Sequence, residues 1–93
     1  MIENFADKDT KRLFDGETVS SLPAEIHRRA YNKLRQLDFA GSLRDLAMPP
    51  SNRLEVLSGK LCGFWSIRIN DKWRIVFQWN NGVATAVKVC DYH

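Results

Sequence analysis

Ninety-three residues, 44% of them hydrophobic and 27% charged, suit one small domain with one core and exclude a disordered chain. No apolar run approaches the roughly 20 residues needed to cross a bilayer. The formal net charge of +3 is uneven: residues 1–25 hold six acids against three bases, and residues 26–93 hold eleven bases against five acids. That asymmetry points the later part toward a polyanionic partner.

The opening "MIENFADKDTK" is acidic and lacks the basic and apolar regions of a secretory leader. A cytoplasmic location is therefore expected, with Cys62 and Cys90 as reduced thiols. Their spacing suits no metal site, and no cofactor is implied. "MIENF" reads as a short first strand. Asp7 or Asp9 can cap a short helix through "TKRLF", and Gly16 stands where it would stop. Pro23 suits the first position of a longer helix, "PAEIHRRAYNKLRQLDFA". Ile26, Ala30, Leu34 and Leu37 form its core stripe. Arg28, Arg29, Lys33 and Arg35 lie mostly off that stripe. "SLRDLAM" is a helical turn or two, capped by Ser42 and ended by Pro49–Pro50.

After Pro50 the texture changes. "RLEVLSG", "FWSIRIN", "WRIVFQW" and "VATAVKVCDYH" are strand-like, and Gly59, "NDK" and "NNG" punctuate them. Short links between successive strands make an antiparallel meander. The expected fold is α+β over a single domain, residues 1–93. An N-terminal strand and two or three helices pack on one face of a small antiparallel sheet.

Alternation sorts the strands into faces. Trp65, Ile67 and Ile69 share one side, as do Trp73, Ile75, Phe77 and Trp79. The tryptophans are expected to serve the core, with Trp79, near the turn, the least committed. Both apolar sets must face the same way, because a one-residue slip would bury the arginines. A three-residue turn at Asn70–Lys72 achieves this and sets Arg68 opposite Arg74. Like charges so placed repel by about 0.2–1 kcal/mol. An anion between them reverses the sign, and guanidinium forks match phosphate. The last strand admits three registers. A two-residue turn at Asn81–Gly82 puts Val87, Val89, Asp91 and His93 on the arginine face and Lys88 on the core face. A three-residue turn brings Lys88 and Tyr92 to the arginines instead. A bulge near the end can serve both demands.

An arginine pair beside "DYH" is a workable set for metal-free RNA cleavage. A 2′-hydroxyl attacks the neighbouring phosphorus, a base takes its proton, an acid protonates the leaving oxygen, and cations hold the developing charge. His93 titrates near neutrality and suits proton transfer. Asp91 is its partner base or orienter. Arg68 and Arg74 hold the phosphate, and Tyr92 stacks on a base or bonds the phosphate.

The segments "GKLCGFWSIRINDKWRIVFQW" and "DYH", within a pattern covering nearly the whole chain, resemble the HigB-type toxins of bacterial type II toxin–antitoxin modules, of the RelE/ParE superfamily. The resemblance implies a ribosome-dependent endoribonuclease that cuts messenger RNA in the decoding site. It implies a HigA-like helix-turn-helix antitoxin, and operator DNA bound only by the toxin–antitoxin complex. No membrane is involved. The family's active residues match Arg68 or its strand neighbours, Arg74, Asp91, Tyr92 and His93, with Arg74 in "WRI" the firmest. Where many members carry a His and a Lys before this segment, the chain has Glu55 and Ser58; Lys60 nearby is either a partial substitute or a plain loop lysine. Lys60, Lys72, Arg28, Arg29, Lys33 and Arg35 are the expected contacts to RNA backbone, with salt-dependent affinity. The same superfamily holds gyrase inhibitors that cut no RNA, and weak toxins acting as regulatory modules are a further alternative.

Overall fold

The structure is a computed structural model and describes residues 1–91. Helix α1 (Lys8–Phe14) starts where the Asp7 carboxylate accepts the Thr10 N–H at 2.8 Å. It stops at Gly16, whose φ of 89° suits a residue without Cβ and whose N–H returns to the Leu13 carbonyl. Within α1, the buried Thr10 hydroxyl accepts the Val89 N–H at 3.0 Å, pinning the helix to the sheet.

A 3-10 turn at Ala24–Ile26, just after Pro23, leads into α2 (His27–Phe39). Ile26, Ala30, Leu34 and Leu37 are all buried, as their helical spacing requires. Helix α3 (Leu43–Leu46) is capped by Ser42, which accepts the Asp45 N–H; the Asp45 carboxylate in turn takes the Gly41 N–H at 2.9 Å.

Strands β1 (Glu55–Val56), β2 (Phe64–Arg68), β3 (Trp73–Asn80) and β4 (Val83–Asp91) form one antiparallel sheet in sequence order. Its inner face presents Ile67, Ile75, Phe77, Ala84, Val87 and Val89 to Leu13, Ile26, Leu34 and Leu37. Each of these side chains larger than alanine contributes about 1.5–3 kcal/mol by leaving water. Trp65, Trp73 and Trp79 are partly buried against this cluster. Helices on one side and an antiparallel sheet on the other give the α+β layout that the sequence pattern implies.

Three local features depart from simple expectation. The first strand shrinks to two isolated parallel bridges, Ile2 with Ala84 and Phe5 with Val87. Between them the Asn4 side chain, not the backbone, takes the Ala86 N–H at 2.7 Å. β1 is only two residues long, because Arg53 before it adopts a left-handed conformation (φ 45°) and a 3-10 turn at Gly59–Leu61 follows soon after. In β4 the hairpin turn is the two-residue kind, Asn81–Gly82, with Asn80 opposite Val83. One extra residue then enters, since Gln78 pairs with Thr85 but Val76 pairs with Lys88. Ala86, at φ 51°, marks this bulge. It returns Val87 and Val89 to the core and sends Lys88 outward. The bulge thus resolves the parity of the last strand, and the straight two-residue register, with Lys88 inside, is corrected by it.

Candidate functional site

The β2–β3 register runs from Phe64–Gln78 to Arg68–Arg74, so the two arginines face one another directly across the ladder. The turn between them is held by Asn70, whose side-chain oxygen accepts the N–H groups of Lys72 (2.9 Å) and Trp73 (2.8 Å). The sheet face they share is no flat solvated surface. Ser66 is 0% exposed and Val76 5% exposed on that side. A recess of about 280 Å³ lies alongside, with Phe64, Val76, Lys88 and Cys90 among its walls.

Arg74 is the better fixed of the pair, with a side chain 14% exposed. Its Nε donates to the Ser66 hydroxyl at 2.9 Å and its Nη2 to the Arg53 carbonyl at 2.8 Å. The left-handed turn at Arg53 aims that carbonyl. Glu55, opposite Ser66 in the β1–β2 ladder, brings a carboxylate oxygen to 3.9 Å from Nη2. Arg68 is looser and reaches Asp71 in the turn, a carboxylate that is 97% exposed. Two cations thus sit side by side, each partnered by an acid that solvent competes for. An incoming phosphate can displace such partners, because exposed ion pairs hold only about 0–1 kcal/mol.

Lys88, opposite Val76, is exposed on the same face. Cys90 stands opposite Arg74. Burial pushes its thiol above the ordinary value; Lys88 and Arg74 pull the other way, while Asp91 and Asp7 push further up. Sequence reasoning offered Lys88 for this face under a three-residue turn and did not single out Cys90; the bulge at Ala86 brings both there behind a two-residue turn. Ser66 had a visible signal: it is a small polar residue two positions from Arg68 and so on the same side of β2.

Asp91 is not brought to the arginine side by the ladder. It stands opposite Trp73, one residue beyond Cys90, and its carboxylate lies 3.6 Å from the Lys72 ammonium. The register that would put Asp91 beside Arg74's side chain is therefore corrected by the same bulge. Tyr92 and His93 lie outside the described residues. Lys60 is exposed on the 3-10 turn whose next residue, Leu61, also lines the recess.

The helical bases fall elsewhere. α2 packs on the inner face of the sheet, not on the face that Arg68 and Arg74 share. Arg28 and Arg29 are exposed, and Arg29 also reaches the Ile69 carbonyl at 3.4 Å. Lys33 bonds the buried Asn52 side chain, and burial, with Arg29 nearby, pulls its ammonium below the usual lysine range. Arg35 donates to the Phe14 carbonyl at 3.1 Å and lies over the Phe14 ring, 4.2 Å from its centroid. Lys33 and Arg35, both half-buried, thus each make an internal contact.

Comparisons with known proteins agree with this fold. A sequence profile described as "RelE-like toxin of type II toxin-antitoxin system HigB" matches residues 3–93. Toxin HigB-1 of Vibrio cholerae is 40% identical over 85 residues, covering 90% of either chain. Endoribonuclease HigB of Proteus vulgaris is 36% identical over 93 residues, covering 100% of both. Among solved structures, the YoeB-YefM complex from Staphylococcus aureus contains a chain that superposes with a TM-score of 0.58 at 21% identity, covering 100% of this chain and 95% of that one. That last likeness is one of fold. The profile spans nearly every residue and both relatives match across their length, so the chain belongs to the family of RelE-like HigB toxins of type II toxin–antitoxin systems.

Proposed function

We propose that this toxin is a ribosome-dependent endoribonuclease that cuts messenger RNA and so stops translation. The observation that carries the reading is the Arg68–Arg74 pair, opposed on one face with Lys88 close by and an apolar recess beside it. Guanidinium forks take the scissile phosphate, and the recess suits an unstacked base. The full-length Proteus vulgaris relative is itself named an endoribonuclease, which supports the same class of reaction.

The proposed step is metal-free. The 2′-hydroxyl loses its proton to a base and attacks the adjacent phosphorus. The bond from phosphorus to the 5′-oxygen breaks, and that oxygen leaves with a proton from an acid. The products are a 2′,3′-cyclic phosphate and a 5′-hydroxyl. Arg74 and Arg68 stabilise the charge that builds on the phosphoryl oxygens. His93 is assigned to proton transfer by its chemistry, with Asp91 as its partner and Tyr92 as a base or phosphate contact. Lys60 and Lys72 are assigned to RNA-backbone contacts, and Arg28 and Arg29 offer a second surface to ribosomal RNA.

The partner is an antitoxin, as membership of a toxin–antitoxin family supports. We assign it to the HigA-like helix-turn-helix kind, with operator DNA bound by the complex alone, all within the cytoplasm. The test is expression of the wild type and of Arg74→Ala in growing bacteria, with primer extension across translated messages. Growth arrest with cuts from the wild type, and neither from the variant, is the expected result. Equal arrest by both with messages intact overturns the reading. A DNA-damage response in place of cut messages would point to a gyrase inhibitor.

A further inference from the structure

We infer that Ser66 is a positioning residue for Arg74, and that Ser66 and the Arg53 carbonyl together decide which edge of the guanidinium meets the RNA phosphate. The inference rests on the nuclease reading above and deepens it.

A guanidinium carries five N–H donors in a rigid plane. Two edges of that plane present paired donors. The side edge is made by Nε–H and one Nη2–H. The terminal edge is made by Nη1–H and the other Nη2–H. In this fold the side edge is already occupied: Nε donates to Ser66 Oγ at 2.9 Å and Nη2 to the Arg53 oxygen at 2.8 Å. The two acceptors come from different elements, strand β2 and the left-handed turn before β1. They therefore fix both the position and the tilt of the plane. Nη1 has no hydrogen-bond partner among the described residues. The terminal fork, with the exposed Glu55 carboxylate 3.9 Å from Nη2 as its competitor, is left to face a ligand.

Ser66 is 0% exposed. A buried hydroxyl needs a partner, and Arg74 is the one its oxygen has. A side chain pre-held in this way loses little rotamer freedom when phosphate arrives, unlike a free surface arginine. Arg68 has no such clamp. Its guanidinium bonds Asp71 in an exposed turn. The two arginines thus differ in kind: Arg74 is held by two acceptors from different elements, and Arg68 by one exposed carboxylate.

The test uses the purified full chain with translating ribosomes and primer-extension readout of cutting. Ser66→Ala should lower kcat about ten- to hundredfold, the worth of a hydrogen bond to a charged group, while KM for the ribosome moves far less. Ser66→Thr keeps the hydroxyl and should recover most of the rate. In an Arg74→Lys background, which lacks the side edge, Ser66→Ala should cost nothing further. An equal loss in both backgrounds, or full activity of Ser66→Ala, overturns the inference. If Ser66→Ala fails to fold, Ser66→Cys, with similar volume and a weak acceptor, gives the same comparison. A second readout is independent of cleavage. The Arg74 Nε–H proton, followed by NMR, should exchange slowly in the wild type and in Ser66→Thr, and fast in Ser66→Ala. Unchanged exchange sinks the clamp whatever the protein cuts. A wild type that cuts nothing, with exchange behaving as stated, sinks the nuclease reading alone.

Discussion

Arg68 and Arg74 oppose each other directly on β2 and β3, and each has a carboxylate of its own: Asp71 for the first and Glu55 for the second. The repulsion expected of opposed cations is thus partly offset by these carboxylates, and the RNA phosphate of the proposed reaction would be a further anion at the pair. Glu55, 54% exposed and 3.9 Å from Arg74, is a standing competitor for that anion. Glu55→Gln should raise affinity for a short RNA oligonucleotide by roughly 1.5- to 5-fold at low salt, as loss of an exposed pair of about 0.2–1 kcal/mol implies. Added salt should shrink the gain. A fall in affinity would show that Glu55 helps, not hinders, the RNA.

Arg35 and Arg28 look alike in sequence, both basic and both off the core stripe of α2, yet the fold treats them differently. Arg35 lies over Phe14 and beside Tyr31, and it closes a hydrogen bond to the Phe14 carbonyl. Arg28 is exposed. Arg35→Ala should destabilise the protein by about 1–2 kcal/mol in urea unfolding, through lost stem packing, ring contact and hydrogen bond. Arg28→Ala should stay within about 0.5 kcal/mol of wild type. Equal effects would mean that Arg35's contacts are not held in solution.

Much of this was legible in the sequence, for identifiable reasons. Ile26, Ala30, Leu34 and Leu37 recur at helical spacing, so α2 and its buried face follow from periodicity. The alternation of Ile67, Ile75 and Phe77 fixes the β2–β3 register, and the register fixes the arginines. What was hidden depends on single irregular residues. The bulge at Ala86 has no signature beyond the discomfort of a buried Lys88, and it decides which of Cys90 and Asp91 shares a face with Arg74. The Arg53 carbonyl that holds Arg74 is a backbone atom, aimed by a left-handed turn at a residue type that gives no warning of one. The internal contacts of Lys33 and Arg35 come from tertiary partners, Asn52 and Phe14, that no helical wheel displays.

Cys62 is exposed and Cys90 half-buried, and burial raises the Cys90 thiol above its ordinary value. Thiolate is the reactive form, so iodoacetamide at mildly alkaline pH should label Cys62 well before Cys90. Mass spectrometry of tryptic peptides reads the order. The same shift has a stability consequence with a definite sign. As pH climbs past the ordinary thiol value, about 8.5, the unfolded chain loses the Cys90 proton before the folded one does. Stability from this group is full below that pH and is lost as pH rises toward the folded value. Cys90→Ala should therefore show a shallower alkaline decline in stability than wild type, and parallel curves would contradict the shift.

Ala86 holds the left-handed conformation at the β4 bulge, and its N–H is taken by the Asn4 side chain at 2.7 Å. A Cβ at positive φ costs energy that glycine does not incur, although glycine adds entropy to the unfolded chain. The two effects leave Ala86→Gly neutral to about 1 kcal/mol stabilising in urea unfolding. Ala86→Val places a β-branched side chain at the same φ and should destabilise by more than 1 kcal/mol or so. Asn4→Ala removes the acceptor and should cost about 0.5–1.5 kcal/mol. The bulge also sets which residues of β4 reach the arginine face. A variant that straightens it would turn Lys88 inward, against Val87 and Val89 in their present places. Ala86→Val should consequently lose cutting activity along with stability, and Ala86→Gly should retain it. A Val variant as stable as wild type would show that the left-handed turn is not what holds the register.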